Sequence, residues 1–275
     1  MLSDPTQRML RFRDFLTWLV AGPGLLVSGG SDDEEAEEDE DEARTRAKLW
    51  VLLDIKIDDE PRALMRAIAA AIAQVPPSSA IPWEQRILLG CWNAALIEAA
   101  SQALPGFPLA HIGYSLSYAR HFFPVPDLAF NVAQAALLAP LRGRAFMRAV
   151  RARGRSLFVW TVNTERGMEW CIRQNQSSSS SSSSASSSSL RGPRLVDGVI
   201  TDDPKLYLSV CRRYEDQLDG RATTPTRPAT TRETMGFVMH VIARQLLFKF
   251  MFVYRRFWQN KLDYLHERAP IDKSD

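Results

Sequence analysis

Short apolar runs alternate along this chain with stretches of helical periodicity, and this alternation constrains the fold more than any other feature. The first run, KLWVLLDIKI at 48–57, is followed by a stretch in which Leu64, Ile68 and Ile72 recur at helical spacing. Further apolar runs, each beside a helical stretch, occupy 86–92, 109–117, 156–163 and 196–202. Continuous apolar strands that alternate with amphipathic helices are typical of a parallel sheet covered by helices. The sequence therefore predicts an α/β fold with five strands.

Two low-complexity segments interrupt this alternation. Residues 32–42 hold ten acidic side chains and one alanine, and serines fill 177–189 apart from Ala185. Neither composition can bury enough apolar surface to fold, so we expect both segments to be disordered. Composition alone leaves open whether the serines link two domains or interrupt a single one.

Outside the acidic segment the chain is strongly basic. It carries 34 Lys and Arg against 22 acidic residues there, a balance of +12. Such a balance suits an anionic partner, for example a phosphate group or a lipid surface. The basic residues form no stripe interleaved with aromatic side chains, so we do not expect a nucleic-acid partner.

Candidate site residues stand at the carboxyl ends of the predicted strands, where α/β proteins keep their active sites. Asp54 and Lys56 are two residues apart in the first strand and therefore share one face. A carboxylate beside an ammonium could hold a divalent cation and a phosphate oxygen together. The alternative is a structural ion pair, which has the same spacing.

Two later strand ends carry further candidates. In FVWTVN, Trp160 is expected to line a pocket and Asn163 to lie at its rim, although a buried core tryptophan explains Trp160 equally well. In ITDDP, Asp202 and Asp203 precede a proline that opens a helix, which is typical of helix capping.

The motifs WVLLDIKID, HIGYSLSYAR, FVWTVN and DGVITDDP, in this order, resemble the glycerophosphodiester phosphodiesterase family over about residues 6–214. They are most similar to its fungal branch, the phosphatidylglycerol phospholipase C-like proteins. The resemblance implies a TIM barrel that hydrolyses phosphodiesters with a divalent metal, calcium or magnesium, and a pair of histidines. It implies that Asp54 is a metal ligand, that Lys56 is a catalytic residue contacting the phosphate, and that Trp160 and Asn163 bind substrate.

The chain departs from the family pattern upstream of Asp54. The family's first histidine motif and its early acidic metal ligands are missing, and none of the four histidines precedes Asp54. The resemblance therefore implies a partial barrel of about the last five strands, without its N-terminal catalytic part. We expect the chain alone to be an inactive phosphodiesterase, because acid–base catalysis and metal binding each need more groups than remain. A non-catalytic remnant that binds a membrane or a partner is the alternative.

On this interpretation residues 1–218 form one barrel-like domain, with a disordered acidic insertion at 29–46 and a serine-rich insertion at 176–190. A linker follows at 219–234, and 259–275 is a polar tail. Residues 235–258 show apolar positions at helical spacing and end in basic and aromatic side chains. This predicts a helix that lies on a membrane surface, although packing on the barrel is the alternative. The resulting expectation is an intracellular protein associated with the cytosolic face of a membrane.

Overall fold

The computed structural model describes residues 10–21, 40–77, 81–139, 141–175 and 194–221, together with part of the segment 235–254. The chain divides into two compact units. The first comprises Met1–Val132 and Val150–Phe158, and the second comprises Ala133–Ala149 and Val159–Asp275. The serine segment and residues 22–39 lie outside the described residues, so the predictions of disorder there remain predictions.

The strands of the described residues follow one another in space as they do in sequence, in the order β1-β2-β3-β4-β5-β6. They are β1 (Val51–Ile55), β2 (Ile87–Cys91), β3 (Leu109–Gly113), β4 (Ala129–Ala133), β5 (Leu157–Trp160) and β6 (Gly198–Val199). Strands β1 to β4 pair in parallel. A sequential order is that of a βα-barrel, whereas a doubly wound sheet reverses its order at one point. The predicted α/β class is confirmed.

Helices lie between the strands, as parallel pairing requires. In chain order they are α1 (Phe12–Ala21), α2 (Glu40–Ala47), α3 (Pro61–Ala73), α4 (Trp83–Arg86), α5 (Ala94–Ala103), α6 (Leu116–Arg120), α7 (Gln134–Leu137), α8 (Arg142–Ala152), α9 (Glu165–Arg173) and α10 (Pro204–Leu218). Several begin at side-chain caps that the sequence supplies. For example, Asp203 accepts a hydrogen bond from the Leu206 amide at 2.9 Å, which confirms its predicted capping role.

The described residues form six strands rather than the predicted five, because β4 was not recognised in the sequence. Its sequence, AFNVA, has a polar residue at its centre. That residue, Asn131, is nevertheless only 3% exposed. Shortly before β4, Asp127 has a φ of 52°, a left-handed conformation that aspartate adopts more readily than most residues. The strand exists because its neighbours bury it, which a single-sequence pattern does not reveal.

A buried arginine joins the first helices to the sheet within the first unit. Arg86 is 2% exposed, and its guanidinium donates to the carbonyls of Leu49 at 3.0 Å, Arg46 at 2.9 Å and Leu19 at 3.4 Å. These bonds satisfy carbonyls at the ends of α1 and α2. Helix α2 covers residues 40–46, so the disorder expected for 29–46 does not extend to them.

In the second unit, α9 and α10 pack together and are joined by charged side chains. Arg213 pairs with Glu165 and, at 2.9 Å, with Glu169. Arg173 also pairs with Glu169, at 3.2 Å, and donates to the Tyr214 hydroxyl at 3.0 Å. Glu169 is largely shielded from water, so this network is worth more than isolated surface pairs are.

The described positions between 235 and 254 are helical and exposed. Their large apolar side chains are between 43% and 68% exposed: Met235, Met239, Ile242, Leu246, Leu247, Phe250, Met251 and Tyr254. Among the described residues, no helix combines the length and the apolar character needed to cross a bilayer.

Candidate functional site

Asp54 and Lys56 form an ion pair at the carboxyl end of β1. The Lys56 ammonium lies 2.5 Å from Oδ2 of Asp54, and the two side chains are 60% and 46% exposed respectively. The strand places both on the same face, as their spacing predicted. This exposed pair is therefore a solvent-accessible charged group at the edge of the sheet where parallel α/β folds bind ligands.

Trp92 completes this cluster from the end of the neighbouring strand. Its indole Nε1 donates to Oδ1 of Asp54 at 2.7 Å, and the Lys56 ammonium lies 5.1 Å from the centre of its ring. The second distance is within the range of a cation–π interaction. We call these three residues the Asp54–Lys56–Trp92 cluster.

The backbone around Trp92 explains how the indole reaches Asp54. Asp54 lies directly beside Gly90 in the β1–β2 register, two residues before Trp92. A Cβ at position 90 would lie 2.5 Å from Cδ1 of Ile112 and 2.7 Å from the Leu53 carbonyl oxygen, so only glycine fits this close approach. On the other side, Asn93 caps α5 by accepting from the Leu96 amide at 2.9 Å. Trp92 is thus held between a tightly packed strand and a capped helix.

The described residues do not fit the divalent metal that the family resemblance implies. Both oxygens of Asp54 already accept hydrogen bonds, one of them from an ammonium. Calcium takes six to eight oxygen ligands and magnesium six. Yet the described part of the chain contains no group of three or more His, Cys, Asp or Glu side chains that could hold a metal ion. The arrangement is instead that of a charge-assisted network whose cation is Lys56.

Asn163 joins the ends of two strands within the second unit. Its Nδ2 donates to Oδ2 of Asp202 at 2.5 Å, while its Oδ1 accepts from the Asp202 amide at 2.9 Å and from the Thr201 hydroxyl at 3.2 Å. The side-chain amide of Asn163 is therefore occupied by hydrogen bonds that join the segments after β5 and β6. This supports a structural role for Asn163. Trp160 is the half-buried last residue of β5. The substrate-binding roles predicted for Trp160 and Asn163 remain predictions.

His111, the histidine within β3, is not placed to act on a substrate. It is 0% exposed and packs against Phe122 at 4.4 Å and Tyr118 at 5.5 Å between ring centroids. Burial lowers its pKa from 6.5 to about 4, which outweighs the raising influence of the nearby Cys91 backbone. Neither ring nitrogen has a hydrogen-bond partner of ordinary geometry among the described residues. His111 is thus a neutral core residue at physiological pH.

A cavity of about 340 Å³ opens in the first unit beside residues that precede or begin the strands. Trp50 and Phe158 line it, with ring centroids 5.6 Å apart, together with Arg86 and Arg155. Arg86 donates to backbone carbonyls, and Arg155 donates to the Phe123 carbonyl at 3.1 Å. The cavity lies at the amino ends of the strands, whereas the Asp54–Lys56–Trp92 cluster lies at the carboxyl end of β1.

The fold and the cluster define an α/β protein with a cationic group at the carboxyl end of its first described strand. The family model for the glycerophosphoryl diester phosphodiesterase family matches residues 33–206 of the chain, which therefore belongs to that family. This range includes all six strands and the whole Asp54–Lys56–Trp92 cluster. No curated protein matches the chain significantly.

A solved structure of a glycerophosphodiester phosphodiesterase from Parabacteroides distasonis is also similar to this chain. The identity is 13% and the TM-score is 0.45, with 64% of this chain and 62% of that chain covered. The match thus spans less than two thirds of that protein.

The cluster contains one residue that sequence reasoning did not assign to the site. Trp92 was not a candidate in the sequence analysis, because 38 residues separate it from its partner Asp54. The available signal was the shared position at the ends of two consecutive parallel strands, which brings such side chains together.

Proposed function

We propose that this chain is of the phosphoric diester hydrolase type found in lipid metabolism and that it binds the phosphodiester group of a glycerophosphodiester or glycerophospholipid. The observation that carries the proposal is the exposed ammonium of Lys56, held at the carboxyl end of β1 by Asp54 and Trp92. An ammonium on a flexible stem is a common binding group for phosphate. Family membership supplies the diester chemistry.

The motifs quoted above support a finer proposal, that the chain is of the phosphatidylglycerol phospholipase C-like type. Family resemblance alone supports metal dependence, because the described residues do not supply a divalent-cation site. We also propose that the chain by itself does not turn over a diester. Hydrolysis requires an acid or base within hydrogen-bond reach of the substrate, and the neutral ring of His111 is enclosed in the core.

Equilibrium binding and turnover of soluble diesters test this proposal. The full chain should bind sn-glycero-3-phosphoglycerol and sn-glycero-3-phosphocholine in preference to glycerol, and should release no glycerol 3-phosphate from either diester. Absence of diester binding, both in EDTA and with added calcium or magnesium, would contradict the proposed function. Turnover that depends on added metal and on Asp54 would show that the chain is a competent enzyme.

A second candidate function is supported by the exposed apolar positions between 235 and 254. Apolar patches of this kind mark interaction surfaces, and the Arg255–Arg256 pair follows them in sequence. We propose that this helix binds the cytosolic face of an intracellular membrane, either to bring the diester site to its lipid or as the activity of a non-catalytic protein. Flotation with anionic vesicles should recover the full chain, and the double variant Leu246→Gln, Phe250→Gln should lose this recovery. Equal recovery of both proteins would refute it.

A further inference from the structure

We propose that the Asp54–Lys56–Trp92 cluster binds a phosphodiester anion without a divalent cation, with Lys56 as the only cation that contacts the phosphate. The inference rests on the proposed function and changes the role of Asp54. The carboxylate orients Lys56, whereas the family resemblance implied that it binds a metal.

The geometry of Asp54 opposes a metal role. Oδ2 is 2.5 Å from the Lys56 ammonium, and Oδ1 accepts the Trp92 indole proton at 2.7 Å. A divalent cation bound to this carboxylate would face the positive charge of Lys56 at short range, and like charges at that separation repel. It would also find too few oxygen ligands among the described residues. The cation that neutralises Asp54 is therefore already part of the chain.

The geometry of Lys56 favours an anion. An ammonium has three N–H donors, of which Asp54 accepts one. The side chain is 60% exposed, so the remaining donors can reach a ligand. The Trp92 ring and the Asp54 carboxylate approach the same ammonium and restrict its position. Because the Lys56 side chain is already restricted, it loses less conformational entropy when its ammonium donates to a phosphodiester oxygen. The restriction therefore favours binding of the anion.

Replacing Asp54 by Asn separates the two roles by the size of the effect on diester affinity. Asparagine keeps an oxygen that can accept the Trp92 proton but loses the negative charge. If Asp54 only orients Lys56, the variant loses that orientation but also loses a negative charge that repels the bound phosphodiester. These two effects oppose each other, so the affinity for the anion should change by less than about threefold. If Asp54 holds a metal that holds the phosphate, the same change should weaken binding severely.

The experiment is a calorimetric titration of the full chain with sn-glycero-3-phosphoglycerol, once in EDTA and once with millimolar calcium or magnesium. Phosphatidylglycerol vesicles, compared with phosphatidylcholine vesicles, distinguish a lipid source of the phosphodiester from a soluble one. The variants are Lys56→Met, Asp54→Asn and the matched control Lys48→Met, which removes an exposed lysine before the amino end of the same strand. Circular dichroism verifies that each variant is folded.

We expect the wild type to bind with dissociation constants that agree within twofold in EDTA and in metal. Lys56→Met should weaken binding at least tenfold, Lys48→Met by less than twofold, and Asp54→Asn should stay within threefold of the wild-type affinity. Diester binding that requires metal, or that Asp54→Asn weakens more than threefold, would overturn the inference and leave the proposed function standing. Absence of binding in both buffers would overturn both.

Discussion

Replacing His111 by Phe should remove a large part of the chain's loss of stability in mild acid. The imidazole is 0% exposed, and its pKa is lowered to about 4 in the folded state from an ordinary value of 6.5. Below about pH 6.5 the unfolded chain therefore binds a proton that the folded chain does not bind until about pH 4. The free energy of unfolding is therefore unaffected by His111 well above pH 6.5, and it falls as the pH drops from about 6.5 to about 4.

The linkage relation gives the magnitude. With these two pKa values, protonation of His111 lowers the free energy of unfolding by about 2 kcal/mol between pH 7 and pH 5. Other titrating groups contribute equally to wild type and variant, so the comparison isolates His111. The change in packing caused by the phenyl ring is also nearly independent of pH, and therefore cancels when the two pH values are compared.

The assay is urea unfolding followed by tryptophan fluorescence at pH 7 and pH 5. The wild type should lose about 2 kcal/mol more than His111→Phe over this interval. If His111→Phe and the wild type lose the same free energy, the reasoning that places a neutral, enclosed imidazole in the core is refuted.

Three further predictions test other parts of the fold. Arg86→Met should lower the free energy of unfolding by about 3 kcal/mol in urea titrations, because three backbone carbonyls lose a charged donor; a loss below 1 kcal/mol would contradict this. Asn163→Ala should lower the free energy of unfolding by about 2 kcal/mol in the same assay, because three hydrogen bonds between the segments after β5 and β6 are lost. An unchanged urea midpoint would argue against the structural role of Asn163. Burial raises the thiol pKa values of Cys91 and Cys171 to about 12, so both should react with iodoacetamide at pH 8 only after unfolding. Labelling of either thiol in the native protein, detected by mass spectrometry, would contradict this.

Much of the fold could be predicted from the sequence because its elements are locally encoded. The apolar run around β1 and the helical spacing of Leu64, Ile68 and Ile72 each define an element without reference to the rest of the chain. Helix α10 begins after the predicted cap Asp203. In contrast, β4 is stabilised by its neighbours, and the asparagine at its centre interrupts the apolar run that would have predicted it.

The candidate site was predictable only in part, for a physical reason. The spacing of Asp54 and Lys56 fixes their shared face, but it cannot fix which groups occupy the two carboxylate oxygens. That depends on the β1–β2 register, which brings Trp92 to Asp54. Similarly, the sequence placed Asn163 at a strand end, whereas β5 ends three residues earlier, at Trp160. The hydrogen bonds of Asn163 to Thr201 and Asp202 depend on the pairing of two strands that are distant in sequence.

The Trp92 indole proton provides the most direct test of the phosphodiester site, because it is bonded to Asp54 beside Lys56. In nitrogen-15 spectra of the full chain, one of the seven indole signals should vanish in Trp92→Phe and thereby be assigned. That signal should shift saturably when sn-glycero-3-phosphoglycerol is added in EDTA, and Lys56→Met should abolish the shift. A Trp92 indole signal that does not respond to the diester would contradict the account.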